Sequence, residues 1–145
     1  FNRDLDLRGH LSATLPRTCW SIDCVPNMPT TGERRTNIIV CVDDFSKFVL
    51  LDTLPQLSSG EVRKWLQKNI LFVYGKPNQI RTDHGSEFKG KVEEWCTAYR
   101  ITHITTPPFA PWHNGCAERM IRFVKSLLRR LRVEDNSLDW TEWLP

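Results

Sequence analysis

Three short apolar runs near the start of the chain have the composition of β-strands. Thr18–Val25, Thr36–Val42 and Phe48–Thr53 are rich in β-branched and other apolar residues, and turn-forming residues separate them. The first two runs are joined by Pro26–Arg35, which contains proline, threonine and glycine, and the last two by the turn Asp43–Ser46. The pattern therefore predicts a meander of three consecutive antiparallel strands.

The rest of the chain alternates between helical and strand-like periodicity. Ser58 and Glu61 form a capping-box pattern, and the apolar residues that follow recur at helical spacing until Gly75. The predicted elements beyond that point are a strand at Gln79–Thr82, a helix at Lys91–Tyr99, a strand at Ile101–Ile104, a proline-containing loop at Thr105–Asn114 and a helix from about Gly115 to Arg132. With the meander, this order predicts an α/β fold in which helices flank a five-stranded mixed sheet.

The length of 145 residues is typical of one main domain. We expect residues 1–17 to form a linker or N-terminal arm and residues 18–145 to form the core. A helix start at Asp139–Trp143, just before the chain ends at Pro145, suggests an excised fragment. The chain has no apolar run of roughly 18 residues and no signal-peptide pattern, so nothing targets a membrane. Five cysteines, an odd number without a Cys-x-x-Cys pair, favour a reducing intracellular compartment.

Three acidic residues carry the candidate chemistry. Asp23 and Asp83 follow apolar residues at predicted strand ends, and Glu118 lies in the first turn of the last helix. Carboxylates that converge repel one another unless divalent cations neutralise them, so the set indicates a metal-dependent phosphoryl-transfer site. Each residue alone has a structural alternative. Asp23 can simply end a strand, Asp83 can form a turn, and Glu118 can interact with the helix dipole.

Each of these acids stands in a longer motif. The motifs are Trp20-x-x-Asp23, Val42-Asp43-x-Phe45-Ser46-Lys47, Thr82-Asp83-x-Gly85-Ser86-Glu87-Phe88 and Pro111-x-x-Asn114-Gly115-x-Ala117-Glu118-Arg119. In order and spacing they resemble the catalytic core of the retroviral-type integrase and transposase family, which uses two aspartates and a glutamate on a ribonuclease-H-like fold. Two departures are that the separation of Asp83 and Glu118 is one residue shorter than usual, and that Trp112 and Cys116 replace a glutamine of many relatives.

The resemblance implies a DNA strand transferase with endonuclease activity. Asp23 and Asp83 are expected to hold two Mg²⁺ or Mn²⁺ ions, and Glu118 to complete their coordination. Such ions activate a water or a DNA 3′-hydroxyl as nucleophile and stabilise the leaving oxygen. The site would thus trim DNA 3′ ends and join them to target DNA. The family also implies a homodimer or higher homo-oligomer, and a nuclear location if the element is eukaryotic or viral.

The last predicted helix has an apolar stripe and a basic face. The stripe comprises Ile121, Val124, Leu127, Leu128 and Leu131. On the other face Arg122, Lys125 and Arg129 follow Glu118 at steps of four and three, which places cations next to the candidate metal ligand. We expect these residues to bind DNA phosphates. The adjacent loop contributes His113 and Asn114 as further candidate DNA contacts.

Other interpretations remain open from the sequence. Asp43 and Asp44 form a second acidic pair, which we expect to accept backbone hydrogen bonds in a turn rather than to bind metal. Cys116 is either a buried, inert thiol or a site of oxidation close to Glu118. For function, the leading hypothesis is the integrase core of a retrovirus, retrotransposon or related mobile element. The alternatives are a DNA transposase of the insertion-sequence type and a domesticated DNA-binding descendant without activity.

Overall fold

The computed structural model describes residues 14–29, 35–106 and 115–134, without the side chains of residues 29, 35–36, 115–118 and 131–134. Its strands are β1 (Cys19–Pro29), β2 (Arg35–Asp43), β3 (Val49–Leu54), β4 (Gln79–Thr82) and β5 (Thr102–Thr105). They form one five-stranded sheet in the order β3-β2-β1-β4-β5. Within the described residues the longer helices that flank it are α1 (Ser59–Leu66), α2 (Lys91–Ala98) and α3 (Gly115–Glu134).

The first three strands form the predicted meander. β1 pairs antiparallel with β2, and β2 pairs antiparallel with β3. The connection was predicted to begin at Pro26, which is wrong, because β1 continues to Pro29. The register shifts between Val25 and Met28, and Asn27 has a φ of 56°. This irregularity accommodates a proline that lacks the N–H needed for a regular ladder.

The remaining two strands are parallel to β1. β4 pairs with β1 over only three residues, from Cys19↔Gln79 to Ser21↔Arg81, and β5 continues on the far side of β4. The prediction of a mixed sheet, with an antiparallel meander and parallel strands, is therefore confirmed. Since β1 and β4 pair no further, the two strands diverge as a fork beyond Ser21 and Arg81. We call this the β1–β4 fork.

Helix α1 begins where the sequence signal indicates, and the helical segment that it opens ends at the predicted Gly75. The hydroxyl of Ser58 accepts a hydrogen bond from the backbone N–H of Glu61 at 3.3 Å, as expected of an N-cap. After Leu66 the helix widens into a π-helical turn (Gln67–Leu71) and closes with one more turn (Phe72–Tyr74). Gly75 then adopts a φ of 89°, a value that glycine reaches without a steric penalty.

The two faces of the sheet bury different sets of residues, because successive side chains of a strand point to opposite sides. On one face Trp20, Ile22 and Cys24 of β1 pack with apolar residues of α1 and α2. Trp65 of α1 and Trp95 of α2 are buried there. The other face of β1 carries Ser21 and Asp23 and lies towards α3.

Helix α3 covers this second face through a narrow apolar stripe. Ile121, Val124 and Leu128 pack against apolar residues of β2, and their spacing places them on one side of the helix. Leu127 was predicted to belong to the stripe but is 46% exposed, because its position lies at the edge of that side. Within the described residues no helix combines the length and apolar character needed to cross a membrane.

Candidate active site

The two candidate aspartates lie on opposite sides of the β1–β4 fork. Ser21 and Arg81 are the last paired residues of β1 and β4, and Asp23 and Asp83 each come two residues later. Asp23 shares a face of β1 with Ser21, Asp83 directly follows the end of β4, and both aspartates line one cavity with residues of α3. Asp23 was predicted to end a strand, which is wrong for β1 itself. It lies inside β1, and only the pairing with β4 ends before it.

A cavity of about 260 Å³ occupies the β1–β4 fork. Residues 21–23 of β1, residues 81 and 82 of β4 and the following Asp83 line it from below, and Thr106 lies at its side. Helix α3 supplies Ile121, Arg122 and Lys125 from above. The structure thus brings together two predicted metal ligands and two predicted DNA contacts that are far apart in the sequence.

Asp23 is engaged by a positive charge. Its Oδ2 atom lies 2.5 Å from Nζ of Lys125, and its Oδ1 atom accepts a hydrogen bond from the backbone N–H of Cys24 at 2.7 Å. About a quarter of each charged side chain is exposed, 26% for Lys125 and 23% for Asp23. The ion pair is therefore partly open to solvent, and another cation can reach the carboxylate.

Asp83 is more exposed than Asp23. Among the described side chains, no lysine or arginine forms an ion pair with it. Its Oδ1 atom accepts a hydrogen bond from the backbone N–H of Gly85 at 2.8 Å, which fixes the turn after β4. A β-carbon on Gly85 would lie 2.5 Å from a carboxylate oxygen of Glu87, so the side chain of Glu87 folds back across this glycine. The turn therefore places a second carboxylate near Asp83.

The electrostatic effect of these carboxylates reaches the thiol of Cys24 in β1. Burial is the main reason why the pKa of Cys24 is raised, and the negative charges of Glu87, Asp23 and Asp83 raise it further, in that order. Lys125 acts in the opposite direction. This part of the molecule thus concentrates negative charge, as a cation site requires.

A histidine lies beside the fork on the neighbouring strand. The hydroxyl of Thr82 is hydrogen-bonded to Nε2 of His103 at 2.8 Å, and it donates a hydrogen bond to the carbonyl oxygen of Asp83 at 2.9 Å. Burial lowers the pKa of His103 from its ordinary value, although the charge of Glu93 opposes this shift. The neutral imidazole can therefore support the end of β4 near neutral pH.

The other predicted site residues are not part of the described cavity. Arg129 is exposed on α3 and does not line the cavity. Glu118 lies in the first turn of α3, as predicted, but its side chain lies outside the described residues. His113 and Asn114 also lie outside them. The roles predicted for these four residues stay predictions.

The donor set suits a hard divalent cation. Asp23 and Asp83 offer carboxylate oxygens from one cavity, and Mg²⁺ is typically bound through one or two carboxylates. Among the side chains that the structure describes, no group of three or more His, Cys, Asp or Glu residues is placed to hold a metal ion. A complete site therefore needs a further ligand, and Glu118 is the predicted one.

The second acidic pair divides into two roles, one of which the sequence did not predict. Asp43 accepts hydrogen bonds from the backbone N–H groups of Arg17 at 2.9 Å and Ser46 at 3.0 Å, so its predicted turn role is confirmed. The same role predicted for Asp44 is wrong, because its carboxylate forms a buried ion pair with Arg81, with Oδ2 and Nη1 3.1 Å apart. The sequence did contain one sign of such a pair, namely Arg81. An arginine within an apolar strand needs a buried acidic partner.

This arrangement defines the class of fold. A mixed five-stranded sheet, with one aspartate in β1 and another directly after the neighbouring β4 under a basic amphipathic helix, is ribonuclease-H-like. The sequence model of the family described as integrase core domain matches residues 13–111, more than half of the chain. The chain therefore belongs to the integrase core domain family.

Known proteins resemble the chain in sequence and in structure. The Gag-Pro-Pol polyprotein of squirrel monkey retrovirus is 34% identical over 121 residues, and the match covers 81% of this chain. The chain spans only 6% of that polyprotein's length.

Two solved structures share the fold. The HTLV-2 integrase catalytic core domain, in complex with magnesium and in a dimeric form, is 28% identical with a TM-score of 0.61, covering 86% of this chain and 77% of that chain. The simian T-cell lymphotropic virus intasome, in complex with PP2A regulatory subunit B56 gamma, is 26% identical with a TM-score of 0.66, covering 86% of this chain and 44% of that chain. These matches confirm the predicted ribonuclease-H-like fold.

Proposed function

We propose that this chain is the catalytic core of a polynucleotidyl transferase that trims DNA 3′ ends and joins them to target DNA. The observation that carries the proposal is the β1–β4 fork. It places Asp23 and Asp83 at the same offset from their last paired residues and in one cavity with Arg122 and Lys125. Membership of the integrase core domain family supports this function.

Asp23, Asp83 and Glu118 hold Mg²⁺ or Mn²⁺ in this proposal, with two ions in the active site. The magnesium complex of the related HTLV-2 core supports the choice of metal. Bound ions of this kind activate an attacking oxygen and stabilise a leaving oxygen. The role of the protein in this proposal is to hold carboxylate oxygens in place, and no side chain need act as a covalent nucleophile.

The basic residues of α3 place the DNA backbone beside the carboxylates. Arg122 and Lys125 line the cavity, so a phosphate bound to them lies next to Asp23 and Asp83. Arg129, one turn beyond Lys125, continues the same basic face and extends the contact along the strand. His113 and Asn114 precede the helix in sequence and contact the DNA end in this proposal.

The active form is a homodimer or a higher homo-oligomer bound to element ends and target DNA. The dimeric form of the related HTLV-2 core supports the dimer, and the related intasome supports a larger assembly. In a eukaryotic element or virus this assembly would act in the nucleus. A DNA transposase of the insertion-sequence type would use the same chemistry, whereas a domesticated descendant would bind DNA and leave it intact.

The test is metal-dependent nicking and joining of DNA ends by the parent protein and by Asp83→Asn. We expect the variant to lose at least about 100-fold in rate, since one charged ligand is removed while the shape of the side chain is retained. Glu94→Gln is the matched control, because Glu94 is an exposed acid on α2 paired with Lys91. Equal rates for the parent and Asp83→Asn would reject the proposed function.

A further inference from the structure

The β1–β4 fork is tied together at its base by the carboxylate of Asp44. Oδ1 of Asp44 accepts a hydrogen bond from the hydroxyl of Ser21 at 2.7 Å, and Oδ2 lies 3.1 Å from Nη1 of Arg81. Ser21 and Arg81 are the last paired residues of the two strands. A single carboxylate therefore joins the two strands, through side chains, at the last rung before they diverge.

This connection is buried and has several supports. The side chains of Arg81 and Asp44 are 9% and 4% exposed. The thiol of Cys19 also donates to Oδ2 of Asp44, at 2.9 Å. In the amide orientation that hydrogen bonding favours, the side-chain oxygen of Gln79 accepts from Nε of Arg81 at 2.9 Å and from Nη2 at 3.2 Å. Asp44 and Gln79 thereby hold Arg81 from two sides, and its planar guanidinium has a fixed orientation.

The position of this connection matters for Asp23 and Asp83. Beyond Ser21 and Arg81 no β1–β4 pairing fixes the separation of the strands. Each aspartate lies two residues beyond its tied neighbour, and both line the same cavity. A change in the angle of the fork at its base would therefore move the two carboxylates relative to each other, and ligand atoms must be held closely for a metal site to form.

We propose that Asp44 is a positioning residue of the active site, which sets the separation of Asp23 and Asp83 by holding Ser21 and Arg81 together. This inference rests on the proposed function, because it assumes that the two aspartates bind the same metal centre. Asp44 itself does not touch the metal or the DNA in this role. It acts as the hydrogen-bonded support that metal ligands commonly require.

The test is the affinity of the full chain for Mn²⁺ without DNA, measured by electron paramagnetic resonance well below the unfolding temperature. Four proteins are compared: the parent, Asp83→Asn, Asp44→Asn and the control Asp52→Asn. Asp52 is suitable because it is another hydrogen-bonded strand aspartate, accepting from Nε1 of Trp65 at 2.8 Å, but it does not line the cavity. We expect Asp44→Asn to weaken Mn²⁺ binding about ten-fold and Asp52→Asn to leave it unchanged.

The outcomes separate this inference from the proposed function. If Asp83→Asn weakens Mn²⁺ binding but a folded Asp44→Asn binds with parental affinity, only the positioning role is overturned. If Asp83→Asn binds Mn²⁺ as the parent does, the metal site itself is wrong, and both proposals fail. A role for Asp44 in stability alone would lower the unfolding temperature without changing Mn²⁺ affinity in the folded protein.

A second variant keeps the inference testable if Asp44→Asn does not fold. Ser21→Ala removes one hydroxyl and leaves the Asp44–Arg81 ion pair in place, so on the β1 side only the thiol of Cys19 still bonds to the Asp44 carboxylate. We expect a weakening of Mn²⁺ binding by roughly three-fold, smaller than for a lost charge. Parental Mn²⁺ affinity in Ser21→Ala would overturn the proposal.

Discussion

The ammonium group of Lys125 and the carboxylate of Asp23 form an ion pair across 102 residues of sequence, with Nζ 2.5 Å from Oδ2. This contact joins a predicted DNA-binding residue to a predicted metal ligand. A metal ion bound by Asp23 carries the same sign of charge as Lys125 and competes with it for the carboxylate. If Asp23 binds metal as proposed, metal binding would free Lys125 for a phosphate, and the two events would be linked.

Replacement of Lys125 by methionine should strengthen metal binding in the absence of DNA. The variant removes the competing charge but retains an unbranched side chain of similar length. Because the ion pair is partly exposed, we expect a gain of about three- to ten-fold in Mn²⁺ affinity, corresponding to roughly 1 kcal/mol. Titration of Mn²⁺ into the free protein measures this change. Arg130→Met, at an exposed position of the same helix, is the control, and Mn²⁺ binding by Lys125→Met no tighter than the parent's would contradict the competition.

Removal of the cationic side chains in the cavity should change the salt dependence of DNA binding. Each phosphate contact contributes about 0.9 to the slope of log K against log salt concentration. We therefore expect Arg122→Ala and Lys125→Ala each to lower the magnitude of that slope by about 1. Binding measured over a range of salt concentrations gives the slope directly.

A basic residue on another helix provides the control for this measurement. Lys64 on α1 is exposed and pairs with Glu61, and α1 packs on the opposite face of the sheet from α3. Lys64→Ala should therefore keep the parental slope. The assignment of α3 as the DNA-binding helix is wrong if the Arg122 and Lys125 variants behave like Lys64→Ala.

Much of the fold could be predicted because its local signals are strong. The bounds of β4 agree with the prediction, and the signal at Ser58 marks the start of α1. The extension of β1 beyond Pro26 was missed, because it depends on pairing with β2 around a local irregularity. Sequence propensity penalises proline in a strand, and only the tertiary context overrides this.

The candidate site shows the same division between local and long-range information. Asp23 and Asp83 stand in recognisable motifs, so they could be predicted as candidates. The buried partner of Arg81 could not, because Asp44 is distant in sequence and its neighbours are typical of a turn. The Arg81–Asp44 pair is shielded from water only in the folded core. No local sequence pattern indicates which acidic residue will pair with Arg81.

Acidification should destabilise the protein partly through His103. Burial lowers the pKa of this imidazole in the folded state from its ordinary value of 6.5, whereas the unfolded chain retains that value. As the pH falls through 6.5 towards the lowered pKa, the unfolded state binds more protons, so the free energy of unfolding decreases. Above pH 6.5 the imidazole is neutral in both states, so His103 causes no loss of stability there.

Thermal unfolding between pH 7.5 and pH 5.5 tests the role of this histidine. We expect His103→Gln to lose less stability on acidification than the parent, because its amide can still hydrogen-bond to Thr82 and does not titrate. His84→Gln, at an exposed position, should follow the parental pH dependence. The same pH dependence in the parent and in His103→Gln would show that His103 is not responsible.

The four cysteines with described side chains should be protected from thiol reagents in the folded protein. Cys19, Cys24, Cys41 and Cys96 are all buried and free. Burial is the main cause that raises the pKa of each thiol, to about 12 for Cys96 and well above the ordinary value for Cys41. Since the thiolate is the reactive form, both its low population and its inaccessibility slow the reaction.

The experiment uses Cys116→Ser, which removes the fifth cysteine. We expect the folded variant to react with an aromatic disulfide reagent at least roughly 100-fold more slowly than the same protein in denaturant, since each pKa unit removes ten-fold of the thiolate. The parent measured in parallel reports on Cys116 itself. If the parent shows one additional fast-reacting thiol, Cys116 is exposed; if it shows no additional fast-reacting thiol, Cys116 is buried. A fast-reacting thiol in folded Cys116→Ser, located by mass spectrometry, would contradict the burial of the strand or helix that carries it.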